Sequence, residues 1–385
     1  ILGVISQIFN YLRTNPIIVL VSAIAIYGLI QFAGFDMLYD TFPEANKSGV
    51  EAFDEFELLV ETKNGGIPKA YERLIQKYGL TIEPAFQVGD PSLSRLDEFL
   101  AVGIPDAAEK NTVEIIRELK RLSGTAYLEY NEVIQLDQQD GSLSTTAVKA
   151  KHVNDPKVGS QWGWDAIQGD RVQEILSGSG IKPQKKALIA ILDSGVDAKH
   201  EDLVAQFASN GVTNDSDPLG HGTHCAGIAA AVSNNGIGIA SLVPDPSYIQ
   251  VTSIKVMNAM GMGNQQATIQ GIIRAADMGA DVISMSLGGI SSDSRQRAYE
   301  EAVKYANAKG SIVIAAAGNS NQNAKDYSPA NGKGIIAVSA LSPEQQKAPF
   351  SNTVNDLAYG VAAPGMKIMS TYPNNQYKEL DGTSM

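Results

Sequence analysis

The alternation of apolar and polar positions changes character three times along the chain. From Thr14 to Phe35 no charged residue occurs, and the run NPIIVLVSAIAIYGLIQFAGF is dense in Ile, Val, Leu and Ala. A helix of that length crosses a bilayer. Arg13 precedes the run and Asp36, Asp40 and Glu44 follow it, which orients the amino end to the cytoplasm and everything downstream to the outside. For residues 1–36 a transmembrane anchor competes with a cleaved signal segment and with a buried core helix; the first two make the remainder extracytoplasmic, either membrane-anchored or secreted.

Over residues 53–137 the period switches between two and 3.6 in the order β-α-β-β-α-β. FELLVE alternates, IPKAYERLIQKYG has helical spacing up to Gly79, and TIEPAFQV and SRLDEFLAV read as strands. NTVEIIRELKRLSG is a second helix, with Asn111 as N-cap, Glu114 completing a capping box and Gly124 as its stop. TAYLEYNEVIQL closes the set as one strand. This order predicts a ferredoxin-like α+β module. Residues 138–160 carry little apolar periodicity at their start and read as an exposed linker, the kind of segment proteases cut.

From residue 161 to 385 continuous apolar runs alternate with helical stretches. ALIAIL, SYIQVTSIKVM, DVISMSL, SIVIAAA and GIIAVSA suit parallel strands covered on both faces. HGTHCAGIAAAV, QQATIQGIIRAADMG and SRQRAYEEAVKYANAKG lie between them. The fold class is therefore α/β, a mostly parallel open sheet with helices on both faces. In such sheets the chemistry collects beyond the carboxyl ends of the strands.

Composition narrows the picture. A chain of 385 residues suggests two domains with additions, and a first residue of Ile suggests a fragment. The net charge of −12 argues against nucleic acid as a partner, because a polyanion is repelled. One cysteine allows no internal disulfide.

The candidate chemistry sits at strand and helix ends. Asp193 closes ALIAIL at a tight Ser-Gly turn, and His221 stands between two glycines at the mouth of a helix. A carboxylate that fixes one imidazole tautomer makes a general base for a hydroxyl nucleophile. Ser384, in DGTSM, supplies the hydroxyl. His221 and His224 are also one helical turn apart, which suits zinc; but zinc takes three or four protein ligands, and no third stands at motif spacing in a chain with four histidines.

The segments AILDSGVD, GHGTHCAGI, SMSLGG, AAAGN and DGTSM, in that order, resemble the landmark segments of the subtilisin-like serine proteases, and the order Asp, His, Ser is that family's. The resemblance covers about residues 161–385. It implies a serine endopeptidase that cuts extended polypeptides through an acyl-enzyme, with Ser384 as nucleophile, His221 as acid and base and Asp193 as its orienting carboxylate. It implies no cofactor for catalysis. Asn319 matches the side-chain donor of the oxyanion hole. Ser286, Leu287 and Gly288 match the strand that pairs with substrate, and Gly261 and Gly263 the opposing edge, where glycines would leave room for substrate side chains. Cys225 falls at a position where some relatives carry cysteine, one turn from His221, as a buried small apolar residue. Asp202, Asn234 and Asn235 match a structural calcium site, with the loop one residue longer than the pattern.

Residues 53–137 resemble, in architecture and position, the propeptides of these enzymes. That implies an intramolecular inhibitor, a self-processed precursor and cleavage within residues 137–154. In the family Ser384 opens a long buried helix, so the resemblance implies a chain truncated just after the nucleophile and inactive as it stands. A pseudoprotease that only binds peptides in its cleft is the alternative.

Overall fold

The computed structural model describes residues 56–136, 139–140, 153–180, 183–209, 215–291 and 296–385. The anchor or signal reading of residues 1–36, and most of the linker, lie outside these. Among the described residues no helix is long and apolar enough to cross a membrane.

The amino-terminal module has strands β1 (Leu58–Thr62), β2 (Thr81–Pro84), β3 (Phe99–Gly103) and β4 (Thr125–Tyr130), with helices α1 (Glu72–Tyr78) and α2 (Thr112–Arg121). The sheet is antiparallel in the order β2-β3-β1-β4, which is the expected ferredoxin-like arrangement. Every residue of β1 and of β3 is buried. One face (Leu58, Val60, Leu100, Val102) packs on Tyr71, Leu74, Ile115 and Leu119 of the module's own helical segments. The other (Leu59, Phe99, Ala101) shares a cluster with Ile272, Ile273 and Tyr299 of the second module. Two-sided burial explains why β3 is apolar throughout and β1 is apolar up to Val60, beyond which Glu61 and Thr62 are buried with polar partners.

Local readings fail in three places here. TIEPAFQV is extended only to Pro84, and SRLDEFLAV contributes a 3-10 turn, Leu96–Glu98, before the strand starts at Phe99. Asn111 makes no side-chain cap bond, and α2 ends at Arg121, with Leu122 already extended, ahead of Gly124. A 3-10 segment, Asp106–Asn111, runs straight into α2, so its carbonyls take the N–H groups that a capping box would otherwise satisfy. Lastly, TAYLEYNEVIQL is two strands: it breaks after Tyr130, and β5 (Val133–Gln135) leaves the small sheet altogether.

A two-residue strand β6 (Gln139–Asp140) follows, then short helices α3 (Trp162–Ala166) and α4 (Gly169–Gly178). The second module is built on β7 (Ala187–Asp193), α5 (His221–Ala230), β8 (Ile249–Lys255), β9 (Met262–Asn264), α6 (Gln265–Asp277), β10 (Val282–Met285), β11 (Gly289–Ile290), α7 (Arg297–Ala308), β12 (Ile312–Ala316), β13 (Tyr327–Ser328), β14 (Ile336–Leu341), β15 (Gly360–Pro364), β16 (Ile368–Tyr372) and β17 (Gln376–Asp381). Six of these strands form a parallel sheet in the order β15-β14-β12-β10-β7-β8. Each expected apolar run is one of its strands. Strands β16 and β17 make a hairpin, which β6 extends.

Candidate active site

β7 is apolar until its last residue, Asp193, whose carboxylate emerges at the carboxyl edge of the sheet and is fully buried. The chain then turns at Gly195, where φ is 122° and a Cβ would lie 2.1 Å from the Ser216 carbonyl. α5 begins after Gly220, in the left-handed region. A Cβ on Gly222 would fall 2.0 Å from the Gly195 carbonyl and 3.0 Å from the Asp193 Cβ. Glycine at that position lets the helix start rest directly on the strand end. His221 Nδ1 consequently lies 2.9 Å from each Asp193 oxygen, both side chains without solvent contact. A bond to a carboxylate requires the proton on Nδ1, which leaves Nε2 as the basic nitrogen.

Ser384 arrives on the turn after β17. Its Oγ donates to the Ser286 carbonyl (3.2 Å), and the Ser286 hydroxyl donates back to the Ser384 carbonyl (2.9 Å). Cys225, on the helix that carries His221, places its Sγ 3.6 Å from that carbonyl. Burial pushes the Cys225 thiol well up, with the Asp193 charge adding to it. Asn319 follows β12, and its Oδ1 accepts both the backbone N–H and the hydroxyl of Thr383 at 2.8 Å. With Oδ1 held, the amide NH₂ is the end that faces Gly382, whose Cβ would lie 3.4 Å from Nδ2. A fixed N–H donor beside a serine is what a developing oxyanion needs.

The expected substrate strands flank an occupied cleft. β5 pairs antiparallel with β9, setting Ile134 opposite Gly263. Gln135 exchanges two bonds of 3.1 Å with Gly288, and Leu136 N–H donates to the Gly261 carbonyl at 2.8 Å. Residues 133–136 thus lie as a strand between Gly288 and the 261–264 edge. Leu287 turns its side chain into the core. Gly261 faces the occupant's side chain, since a Cβ there would lie 3.5 Å from the Leu136 Cβ, whereas a Cβ on Gly263 would strike this module's own backbone at Val256; Gly289 was not expected, and its Cβ would lie 2.8 Å from the Val133 carbonyl.

The subtilase family model matches residues 184–385. Thermitase of Thermoactinomyces vulgaris is 44% identical over 242 residues, covering 60% of this chain and 80% of thermitase. Subtilisin DY of Bacillus licheniformis is 40% identical, with 58% and 79% covered. A thermophilic serine proteinase of Bacillus sp. strain AK1 is 35% identical, with 69% of this chain and 62% of the relative covered. A solved protease of Pseudoalteromonas arctica superposes with a TM-score of 0.51 at 28% identity, covering 61% and 83%. The chain belongs to the subtilase family. As a subtilase it is of the serine endopeptidase class, and polypeptides are its substrates.

Two parts of this subtilase's site carried no motif. Asp217 accepts the Thr223 N–H and hydroxyl, each at 2.8 Å, the Leu219 N–H (3.1 Å) and the Ser194 hydroxyl (2.8 Å). It thereby caps α5 and ties it to the turn after Asp193. An Asp shortly before a helix is the sequence signal for such a cap. Glu129, Asn131 and Glu61 form the second part. The Glu129 carboxylate accepts the N–H groups of Arg297 and Ala298 at the start of α7 (3.0 and 3.2 Å), and Asn131 Oδ1 accepts Gln266 N–H at the start of α6 (2.9 Å). Buried Glu61 pairs with Arg95 (2.9 Å) and Arg297 (2.8 Å). Polar side chains of one module thus satisfy the helix starts of the other.

Other expected groups fall as follows. His224 Nε2 donates to the Lys378 carbonyl at 2.9 Å, and burial pulls its pKa down to about 3. Among the described residues the grouping of three or more metal-type ligands is Asp193, His221 and Cys225, without His224, so no zinc pair is made. Of Asp202, Asn234 and Asn235, the last reaches Asp202 through its side chain, whereas the Asn234 side chain donates to the Pro244 carbonyl at 3.1 Å. Asp202 accepts from Asn235 Nδ2 (2.8 Å) and Ile239 N–H (2.9 Å), and Asp155 from the Asn234 and Asn235 N–H groups (2.8 and 3.2 Å). Burial, with Asp155 nearby, pushes Asp202 up to about 6. Two desolvated carboxylates suit a cation in charge, although Asn235 turns its NH₂, not its oxygen, toward Asp202.

Proposed function

We infer that this subtilase cuts extended polypeptides with Ser384 as nucleophile, His221 as general base and then acid, Asp193 as the group that fixes and balances the imidazole, and Asn319 with the Ser384 N–H as the oxyanion hole. The reading extends to a precursor in which residues 53–137 inhibit the cleft and are released by the same serine. The observation that carries it is the two-way bond between Gln135 and Gly288: this chain's own segment takes the place of an extended substrate, clamped on both edges as an added strand. In the reaction, Ser384 Oγ adds to the peptide carbonyl as His221 Nε2 takes its proton; the C–N bond breaks as that proton passes to the leaving amine, and water then releases the acyl group.

Expression of the full-length protein and of its Ser384→Ala variant tests both claims. Wild type is expected to separate into two fragments and to label with a fluorophosphonate. The variant is expected to remain one chain and to stay unlabelled. Processing of the variant in a purified preparation would overturn self-cleavage, and an unlabelled wild type would favour a binding-only cleft. The anchor or signal reading of residues 1–36 puts this activity outside the cytoplasm. A calcium ion at Asp202 would relieve its desolvated charge, and a fall in melting temperature on adding a chelator at pH 8 is the expected sign.

A further inference from the structure

We propose that His224, together with Ser370 and Thr371, sets the position of the general base against the nucleophile. The proposal rests on the triad reading and adds the residues that hold its two halves together. His221 and Ser384 reach the site on different elements. The base opens α5, and the nucleophile lies on the turn that follows the β16–β17 hairpin. Nothing in the order of the chain fixes the distance between them. A misplacement of about 1 Å costs on the order of a hundredfold in such a reaction, so the join between helix and hairpin bears on the rate.

That join is one rung of the hairpin closed on one helix residue. Ser370 and Lys378 are cross-strand partners. The Ser370 hydroxyl donates to the His224 carbonyl at 2.7 Å, and the His224 ring donates from Nε2 to the Lys378 carbonyl at 2.9 Å. His224 therefore binds both strands at once, one helical turn beyond His221. The next two residues of β16 extend the grip: Thr371 Oγ1 donates to the Thr223 carbonyl at 2.8 Å, and the Tyr372 hydroxyl to the Leu219 carbonyl at 2.9 Å. Thr223, His224, Ser370 and Thr371 have no solvent contact, so water does not compete for these bonds. Gly227 permits the close approach, since a Cβ there would lie 2.2 Å from Thr371 Oγ1 and 2.4 Å from Ser370 Oγ. Burial keeps the His224 ring neutral, so it serves as a donor and takes no proton from the reaction. A helical turn is stiff, and a strand paired along its length moves as a body. The ring that fixes Lys378 thus fixes the imidazole three residues before it and the serine six residues after Lys378. These are positioning residues, acting through His221 and Ser384.

The experiment is steady-state peptide hydrolysis by protein matured from the full-length chain, with active sites counted by a fluorophosphonate. His224→Leu removes the donor to Lys378 and is expected to lower kcat per active site roughly tenfold to a hundredfold, with KM within about twofold. His224→Gln offers an amide N–H to the same carbonyl and is expected to bring kcat back to within about threefold of wild type. Thr371→Val and Thr371→Ser repeat the comparison at the second bond, and they carry the test where His224→Leu does not fold or mature. Combining His224→Leu with Ser370→Ala is expected to lose less than the two single losses together, because both act on one rung. An unchanged kcat in His224→Leu or Thr371→Val, a loss confined to KM, or an equal loss in His224→Leu and His224→Gln would overturn the proposal and leave the triad standing. A wild type that hydrolyses peptides yet takes no label would overturn the triad reading and this proposal with it.

Discussion

The two modules bury their sheets in opposite ways. The small antiparallel sheet covers one face with its own helical segments and gives the other to α6 and α7, so half of its core belongs to a different module. The parallel sheet carries its reactive groups at strand ends, where they depend on close backbone approach at Gly195 and Gly222. The small module grips its neighbour through carboxylates on helix starts; the large one builds chemistry from buried contacts that no solvent screens. A grip made of charged caps can be weakened piecemeal. A buried catalytic pair cannot, because its geometry is shared with the sheet.

The largest expected effect is on the chemistry of the large module alone. Asn319→Ala removes an oxyanion donor, and kcat is expected to fall roughly 10²- to 10³-fold with KM little changed, the loss subtilisin shows for the same kind of donor. A fall confined to KM would count against its role. Acid acts next, through two buried groups of the large module. His224 has a folded pKa near 3 against an ordinary 6.5, so the stability it contributes is complete above pH 6.5 and is lost as pH falls toward 3, about 5 kcal/mol in all. Asp202, raised to about 6, works the other way, favouring the fold as pH falls from 6 toward 4, by about 3 kcal/mol at most. Melting curves from pH 7 to 3 are expected to show net loss, with His224→Gln flattening the profile. Steeper loss in that variant would contradict the assignment.

The grip itself is tested by Arg297→Ala, which leaves buried Glu61 with Arg95 alone. Inhibition of the mature enzyme by an added amino-terminal module is expected to weaken by about 2 kcal/mol, roughly thirtyfold. An unchanged inhibition constant would show that the apolar face suffices. The smallest effect compares two asparagines. Asn264 caps α6 through Ala267 N–H at 2.8 Å, so Asn264→Ala is expected to cost about 1 kcal/mol. Asn111 makes no such bond, so Asn111→Ala is expected to cost under about 0.5 kcal/mol. Equal costs in denaturant titrations would erase the distinction.

Legibility followed the range of the interaction involved. The parallel strands were readable because two-sided burial writes a continuous apolar run into each. The Asp193–His221 pair was readable because a strand-end carboxylate and a helix-start histidine are local features joined by family order. The capping box at Asn111 was misread because its donors are taken by the preceding 3-10 segment. The TAYLEYNEVIQL run was read as one strand because extended residues look alike whichever sheet they join. Room at Gly263 is taken by the backbone of Val256, a contact that no local pattern records.

By itself the sequence determined the periodicities, the two modules, the order of the reactive residues and the family. Those are properties of neighbouring residues, set by side-chain period and turn chemistry. Tertiary structure alone decided that β5 crosses into the second module, that Asp217 supports the helix carrying His221, and that Gln135 pairs with Gly288 while Gln139 pairs with Asp381. Each depends on hydrogen bonds between backbone groups or side chains far apart in the chain, and every residue except proline offers the same backbone N–H and C=O groups, so no local pattern records which of them will meet.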